Sequence, residues 1–157
     1  MKAEDWETVK SIYLEGIATK NATFEQNAPE WEDWDRNHLN VCRIVIREND
    51  QIIGWAALSP VSRRPVYSGV VEVSIYISDH AKGRGVGKTL LKRLVDESER
   101  AGIWTLQGGI FPENEASIAI HKVCGFRIVG VRERVGQMDG VWRDVVLMER
   151  RSKIVGI

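Results

Sequence analysis

Apolar residues recur at Trp6, Val9, Ile12, Tyr13 and Ile17, and this three-to-four spacing predicts an amphipathic helix from Glu4 to about Ala18. Lys20 to Pro29 is polar around Phe24 and reads as a loop. Pro29 suits the start of a second helix to about Asn40, with Trp31, Trp34 and Leu39 as apolar anchors. Val41 to Glu48 and Gln51 to Leu58 are β-rich runs flanking Asn49-Asp50, a hairpin pattern. Ser59 to Ser68 holds two prolines and the pair Arg63-Arg64 and reads as a loop, and Val70 to Ile77 is a third strand. A glycine-rich turn over Asp79–Gly87 leads into a helix from about Gly85 to Ala101, with Leu90, Leu91, Leu94 and Val95 on one face and Gly102 as its stop. Thr105 to Ile110 is a strand. Pro112-Glu113-Asn114 opens a helix to about Val123, stopped by Gly125. Phe126–Val135 and Val141–Glu149 pair as a hairpin through Asp139-Gly140. The order is ααβββαβαββ in a single domain spanning 1–157, and hairpins at both ends favour an α+β fold with a mixed sheet over a purely parallel one.

Composition narrows the function classes. Of 157 residues, 22 are Lys or Arg and 22 are Asp or Glu, so the formal net charge is zero. A nucleic-acid binder draws its affinity from a basic excess, and none is present. The longest uninterrupted apolar runs are four residues, such as Trp55 to Leu58, far below the roughly 20 that span a bilayer. No apolar segment follows Met1, so no signal peptide is visible and a cytoplasmic location is expected. Cys42 and Cys124 stand far apart and are expected to be buried free thiols, neither a metal site nor a disulfide framework. His38 and His80 read as surface residues.

The stretch from Tyr76 to Thr89 carries the most chemistry. It reads strand, glycine turn, helix, with glycines at 83, 85 and 87 and cations at Lys82, Arg84 and Lys88. Such a turn aims backbone N–H groups at an anion, the helix N-terminus adds its positive end, and glycine lets a diphosphate approach without meeting a Cβ. A Walker A loop fails by one residue, because its first glycine falls on Lys82. A Rossmann fingerprint fails by one, because its third glycine falls on Lys88. The pattern [QR]-x-x-G-x-[GA] fits at Gly85 and Gly87, with Lys82 in place of Gln or Arg.

That third pattern is the diphosphate loop of the GNAT superfamily of acyl-CoA N-acyltransferases, and the chain resembles its phosphinothricin-type branch over nearly its whole length. Five further blocks carry the resemblance in order. They are Asn21-Ala22-Thr23-Phe24-Glu25, Trp55-Ala56 through Arg64-Pro65-Val66-Tyr67, the strand Val71–Ile77, Asn114-Glu115-Ala116-Ser117 with His121 and Gly125-Phe126, and Trp142-Arg143-Asp144-Val145. Two features depart from the branch. Its members begin with a strand ahead of the first helix, and this chain starts almost at the helix. Some members carry His where this chain has Asp139.

The resemblance implies a GNAT fold and an acetyl-CoA-dependent N-acetyltransferase without a metal. The acceptor would be the amine of a small amino acid-like compound of the phosphinothricin, methionine sulfone or methionine sulfoximine type, acetylated directly in a ternary complex. It implies a homodimer that completes the acceptor pocket. Gly83, Arg84, Gly85, Val86, Gly87 and Lys88 would hold the diphosphate, the backbone of Ile75, Tyr76 and Ile77 the pantetheine, and Asn114 a further cofactor contact beside its N-cap role. Glu72 would be the general base; its plain alternative is an outward-facing or salt-bridged carboxylate. His121 would be the acid for the leaving thiolate; its alternative is a packed, hydrogen-bonded histidine. Phe24, Glu25, Arg64, Pro65, Val66 and Tyr67 would line the acceptor pocket, Arg64 gripping a carboxylate or phosphinate. Rival readings are another amine acceptor (a protein N-terminus, a polyamine or an aminoglycoside) and a non-catalytic acyl-CoA-binding module.

Overall fold

A computed structural model describes residues 1–157. The chain runs α1 (Trp6–Ala18), α2 (Trp31–Asn37), β1 (Ile44–Glu48), β2 (Gln51–Pro60), β3 (Val70–Ile77), α3 (Val86–Arg100), β4 (Thr105–Ile110), α4 (Glu115–Val123), β5 (Arg127–Met138) and β6 (Val141–Arg151). The order and the α+β class are those expected from the sequence. All six strands join one sheet in the order β1-β2-β3-β4-β6-β5, and only the β3–β4 pair is parallel. No strand precedes α1.

Ile52 to Leu58 is buried throughout, and an unbroken apolar run is what a strand covered on both faces requires. Trp55 and Ala57 face α1 and α2, where Trp6, Val9, Ile12 and Trp34 pack on them. Ala56 and Leu58 face α3, which contributes Leu90, Leu91, Leu94 and Val95. Each fully buried side chain of this size contributes about 1.5–3 kcal/mol. Ile46 pairs with Gly54 and Arg47 with Ile52, so Ile53 is an extra, bulged residue. The bulge turns Ile53 towards Ala81 and Val86, beneath the glycine turn.

Several boundaries differ from the expectation. α2 is only Trp31–Asn37, with Glu30 rather than Pro29 at its entrance. Its end is set from outside: the Arg43 guanidinium donates to the carbonyls of Asp35, His38 and Leu39, which no further helical turn then satisfies. β1 starts at Ile44 rather than Val41, because Cys42 takes a positive φ of 60°. His38 is not a surface residue: it is half-buried, stacked on Trp34 at 4.0 Å, with Nδ1 on the Trp34 carbonyl at 2.7 Å. Both hairpin turns carry positive φ at both central residues, Asn49-Asp50 and Asp139-Gly140, as two-residue turns between twisted strands require.

Candidate active site

β3 and β4 pair only over Val70–Glu72 with Thr105–Gln107. Beyond that point β3 continues to Ile77, still held by β2 on its other side, and β4 continues to Ile110, held by β6. The two strands part inside the sheet. The main chain of β3 from Val73 to Ile77, which includes Ile75, Tyr76 and Ile77, therefore has no β-partner on that side. Unpaired strand edges accept an extended partner.

The glycine turn follows directly. Gly83 and Gly85 take φ of 74° and 79°, and a Cβ on either would meet nothing within 4 Å. Gly85 is the N-cap of α3, so the free N–H groups of the first helical turn open onto that empty space. Gly87 serves another purpose. A Cβ there would come within 3.1 Å of Ile120, so its lack of a side chain lets α3 and α4 pack and does not open the anion site. The turn's cations are partly engaged: Lys82 pairs with Asp79 at 2.5 Å, and Arg84 pairs with Glu48. Lys88 is exposed and unpaired.

Glu72 lies where the strands part, flanked in register by Ser59 and Gln107. It makes no hydrogen bond or ion pair, unlike the salt-bridged alternative, and it is exposed, as the outward-facing alternative has it. Enough protein surrounds the carboxyl that desolvation raises its pKa above the ordinary carboxylate value, against an opposing pull from Arg132. Ser74 and Tyr76 share its face of the strand. Tyr76 stacks on Trp55 at 4.9 Å and meets Tyr13 edge-on at 4.8 Å.

His121 is on the opposite face, 3% exposed, beneath Gly108 of β4 and edge-on to Phe126. Its Nδ1 lies 2.8 Å from the Ser117 carbonyl, which places the proton on Nδ1 and leaves Nε2 an acceptor. Burial lowers its pKa, so the ring is neutral at neutral pH. Asn114 caps α4 by accepting from the Ser117 N–H at 3.2 Å, and its amide donates to the Asn21 carbonyl at 3.2 Å.

The acceptor-side residues divide into two groups. Phe24 packs edge-on to Phe111 at 4.8 Å and against Gly136, and Glu25 lines a cavity of about 460 Å³ between α1, α2 and the β2–β3 face. Arg64, Pro65, Val66 and Tyr67 lie exposed in the turn that leads into β3; Arg64 stacks on Tyr67 at 5.4 Å and makes no hydrogen bond or ion pair with Glu25 or Glu72. Tyr13, Trp55 and Ser74 line the cavity and escaped the sequence reading. The two-residue repeat of β3 places Ser74 beside Glu72 and was the available signal. Asp144 has a plain structural role: its carboxylate accepts from the Arg134 N–H at 2.7 Å and holds an irregular stretch of β5 between Arg132 and Gly136.

Comparison with known proteins agrees with this geometry. The sequence model of the acetyltransferase (GNAT) family matches residues 6–126. The chain is 31% identical to a phosphinothricin N-acetyltransferase of Alcaligenes faecalis, over 96% of this chain and 79% of that one. It is 32% identical to an L-methionine sulfoximine/L-methionine sulfone acetyltransferase of Pseudomonas aeruginosa, over 90% and 86%. Its fold superposes with a TM-score of 0.88 on a GNAT superfamily phosphinothricin acetyltransferase from Sinorhizobium meliloti in complex with acetyl-CoA, at 29% identity over 99% of this chain and 88% of that one. With a family match over most of its length and relatives of this kind, the chain belongs to the GNAT family of acetyltransferases, in its phosphinothricin N-acetyltransferase-like branch, and is an N-acetyltransferase.

Proposed function

We propose that the protein transfers the acetyl group of acetyl-CoA to the amine of a small amino acid-like acceptor, of the phosphinothricin or methionine sulfone type. The observation that carries this reading is the parting of β3 from β4 after Glu72, next to a glycine turn whose Gly83 and Gly85 face open space. Both features fit an elongated thioester donor with a diphosphate. The N–H groups of Gly83 to Lys88 would hold the diphosphate, and the free main chain of Ile75 to Ile77 the extended arm. When bound, acetyl-CoA supplies the acetyl thioester. Asn114 supports the site by fixing α4 and the Asn21 loop.

An ammonium cannot attack a thioester until it loses a proton. In this reading Glu72, unpaired and with its pKa raised by desolvation, would accept it. His121, with Nδ1–H committed to Ser117, presents Nε2 as an acceptor; acting as an acid requires the imidazolium, which its burial opposes. We assign it chiefly to orienting the β4–α4 contact.

The Arg64–Tyr67 loop recognises the acceptor's carboxylate in this reading, completed across a homodimer. Val131, Val141 and Trp142 of the β5–β6 hairpin support that assembly, since they are 53%, 60% and 57% exposed, apolar area that a second copy would cover. Sedimentation at micromolar concentration is expected to give a dimer, and a monomer would contradict it. Thiol release from acetyl-CoA over a panel of free amino acids, polyamines, aminoglycosides and peptides tests the function. Release only with amino acid-like acceptors is expected; tight acetyl-CoA binding with no release for any amine would indicate a binding module.

A further inference from the structure

We propose that Arg132, on β5, is an acceptor-positioning residue of this chain. Its guanidinium takes the acceptor's anionic group at one end of an open trough, while the amine meets Glu72 at the other. This rests on the acetyltransferase reading and adds to it a residue that neither the glycine turn nor the Arg64 loop supplies.

Position follows from the register of four strands. Glu72 pairs with Gln107, Gly109 with Leu147, Leu147 with Gly130, and Val145 with Arg132. Paired residues share a face, and the face repeats every second residue, so Arg132 lies on the Glu72 side of the sheet. On the other side Leu106, Ile110, Val146 and Met148 are buried in the core with α3. On the Glu72 side Gly109 is exposed, and Val145 and Leu147 are half-buried. α1 and α2 cover that side over β1 to β3 and leave β4, β6 and β5 free of helices. Gly130 deepens the uncovered part, since a Cβ there would meet nothing within 4 Å. Arg132 is displaced from Glu72 in the direction in which β3 and β4 part, so the trough passes the gap that the thioester would enter.

The chemistry follows from what is free. Arg132 is exposed and makes no hydrogen bond or ion pair. Its neighbours on the same face are engaged: Arg127 pairs with Glu149, and Arg143 holds the Lys20 carbonyl, Asn21 and Glu113. A free guanidinium presents a planar fork that takes a carboxylate or phosphinate through two parallel bonds. Arg132 is also the charged group that pulls down the pKa of the Glu72 carboxyl, against its burial. An acceptor anion on Arg132 cancels that pull, so Glu72 becomes more basic as the amine reaches it.

The experiment measures kcat and KM for methionine sulfone and for its carboxamide, which keeps the amine and loses the anion. Acetyl-CoA is saturating, and the proteins are the parent, Arg132→Gln and Arg132→Lys. Arg132→Gln should raise KM for the acid roughly tenfold or more, the scale of a lost charged hydrogen-bond pair, and KM for the carboxamide less than about twofold. Arg132→Lys, which keeps the charge without the fork, should fall between. With the carboxamide, the acid limb of kcat/KM should move to higher pH in Arg132→Gln. An equal change for both acceptors, or no change, would overturn the proposal. Calorimetry of both compounds with CoA-loaded protein reads binding without turnover. Affinity for the acid lost in Arg132→Gln, with the carboxamide unaffected, supports the assignment even if acetyl transfer fails. Unchanged affinity, or a parent that does not bind the acid, overturns it even if other amines are acetylated.

Discussion

Arg143 and Lys20 lie 123 residues apart, and the guanidinium of one donates to the main-chain carbonyl of the other at 2.9 Å. The same guanidinium reaches the Asn21 side-chain oxygen at 3.2 Å and Glu113 at 3.3 Å, and lies 4.0 Å over the Phe111 ring. Lys20 in turn pairs with Asp139 at 2.5 Å. A loop without regular structure is thereby fastened to the β5–β6 hairpin and to the start of α4, and that loop leads into Phe24 and Glu25. Asp139, which departs from the branch pattern, serves here as a fastening for the loop.

Arg143→Met should release the loop while leaving the glycine turn intact. The expected result is an acceptor KM raised about tenfold or more, since small misplacements of positioning groups are that costly. Acetyl-CoA affinity should stay within twofold, and stability should fall by about 1–3 kcal/mol from the lost charged hydrogen bonds. Faster amide exchange over residues 19–25 would locate the effect; an unchanged acceptor KM would contradict it.

The two kinds of glycine in the turn should behave differently. Gly85→Ala adds left-handed strain of roughly 1–2 kcal/mol but fills no occupied space, and Gly85→Glu adds bulk and negative charge where the anion is expected. Calorimetry should show acetyl-CoA binding weakened in the first, whose Cβ enters the space the diphosphate would take, and lost in the second. Gly87→Ala should instead leave acetyl-CoA affinity unchanged, because its Cβ meets Ile120 at 3.1 Å rather than the open space of the turn, with the helix-propensity gain of roughly 0.5–1 kcal/mol set against that contact. Equal affinity in Gly85→Glu and parent would remove the diphosphate assignment.

His121 gives a pH signature of stability. Its folded pKa lies below the unfolded value near 6.5, so below that pH the unfolded chain takes up a proton that the folded one resists. Its contribution is complete above about pH 6.5 and declines as pH falls towards the folded value. His38 shifts in the same direction and adds to the slope. His121→Gln should be less stable at pH 7.5 and lose less on acidification to pH 5.5. Parallel stability curves for parent and variant would show that His121 does not titrate against folding.

Much of the fold was legible because it is written in local periodicity. The two-residue alternation of β3, the helical repeat of α3 and the glycines at turns fix element type without reference to distant residues. What the sequence concealed depends on contacts across the chain. The short α2 is ended by Arg43, which lies beyond it. The role of Gly87 depends on Ile120, and that of Asp144 on Arg134. The candidate site was legible in the same measure: Glu72 and the glycine turn announce themselves as a carboxylate in an apolar strand and a phosphate-loop pattern. The cavity walls Tyr13 and Trp55 read as ordinary core positions, because periodicity marks burial and does not show which buried face borders a void.

Proton removal at Glu72 is the central step of the proposed reaction, and the pH–rate profile of Glu72→Gln tests it most directly. The variant keeps the shape and removes the base. The rate should fall by about two to four orders of magnitude near neutral pH, and the deficit should shrink as pH rises and free amine replaces the missing base. Acetyl-CoA affinity should barely change, because its expected contacts on β3 are main-chain. Stability supplies a second sign. A carboxyl with raised pKa is penalised in the folded state above the unfolded pKa and relieved as pH falls, so the variant should melt higher at pH 7, by no more than about 2 °C for so exposed a group, and equal the parent near pH 3. A profile within threefold of the parent at every pH would contradict the assignment of Glu72 as the base.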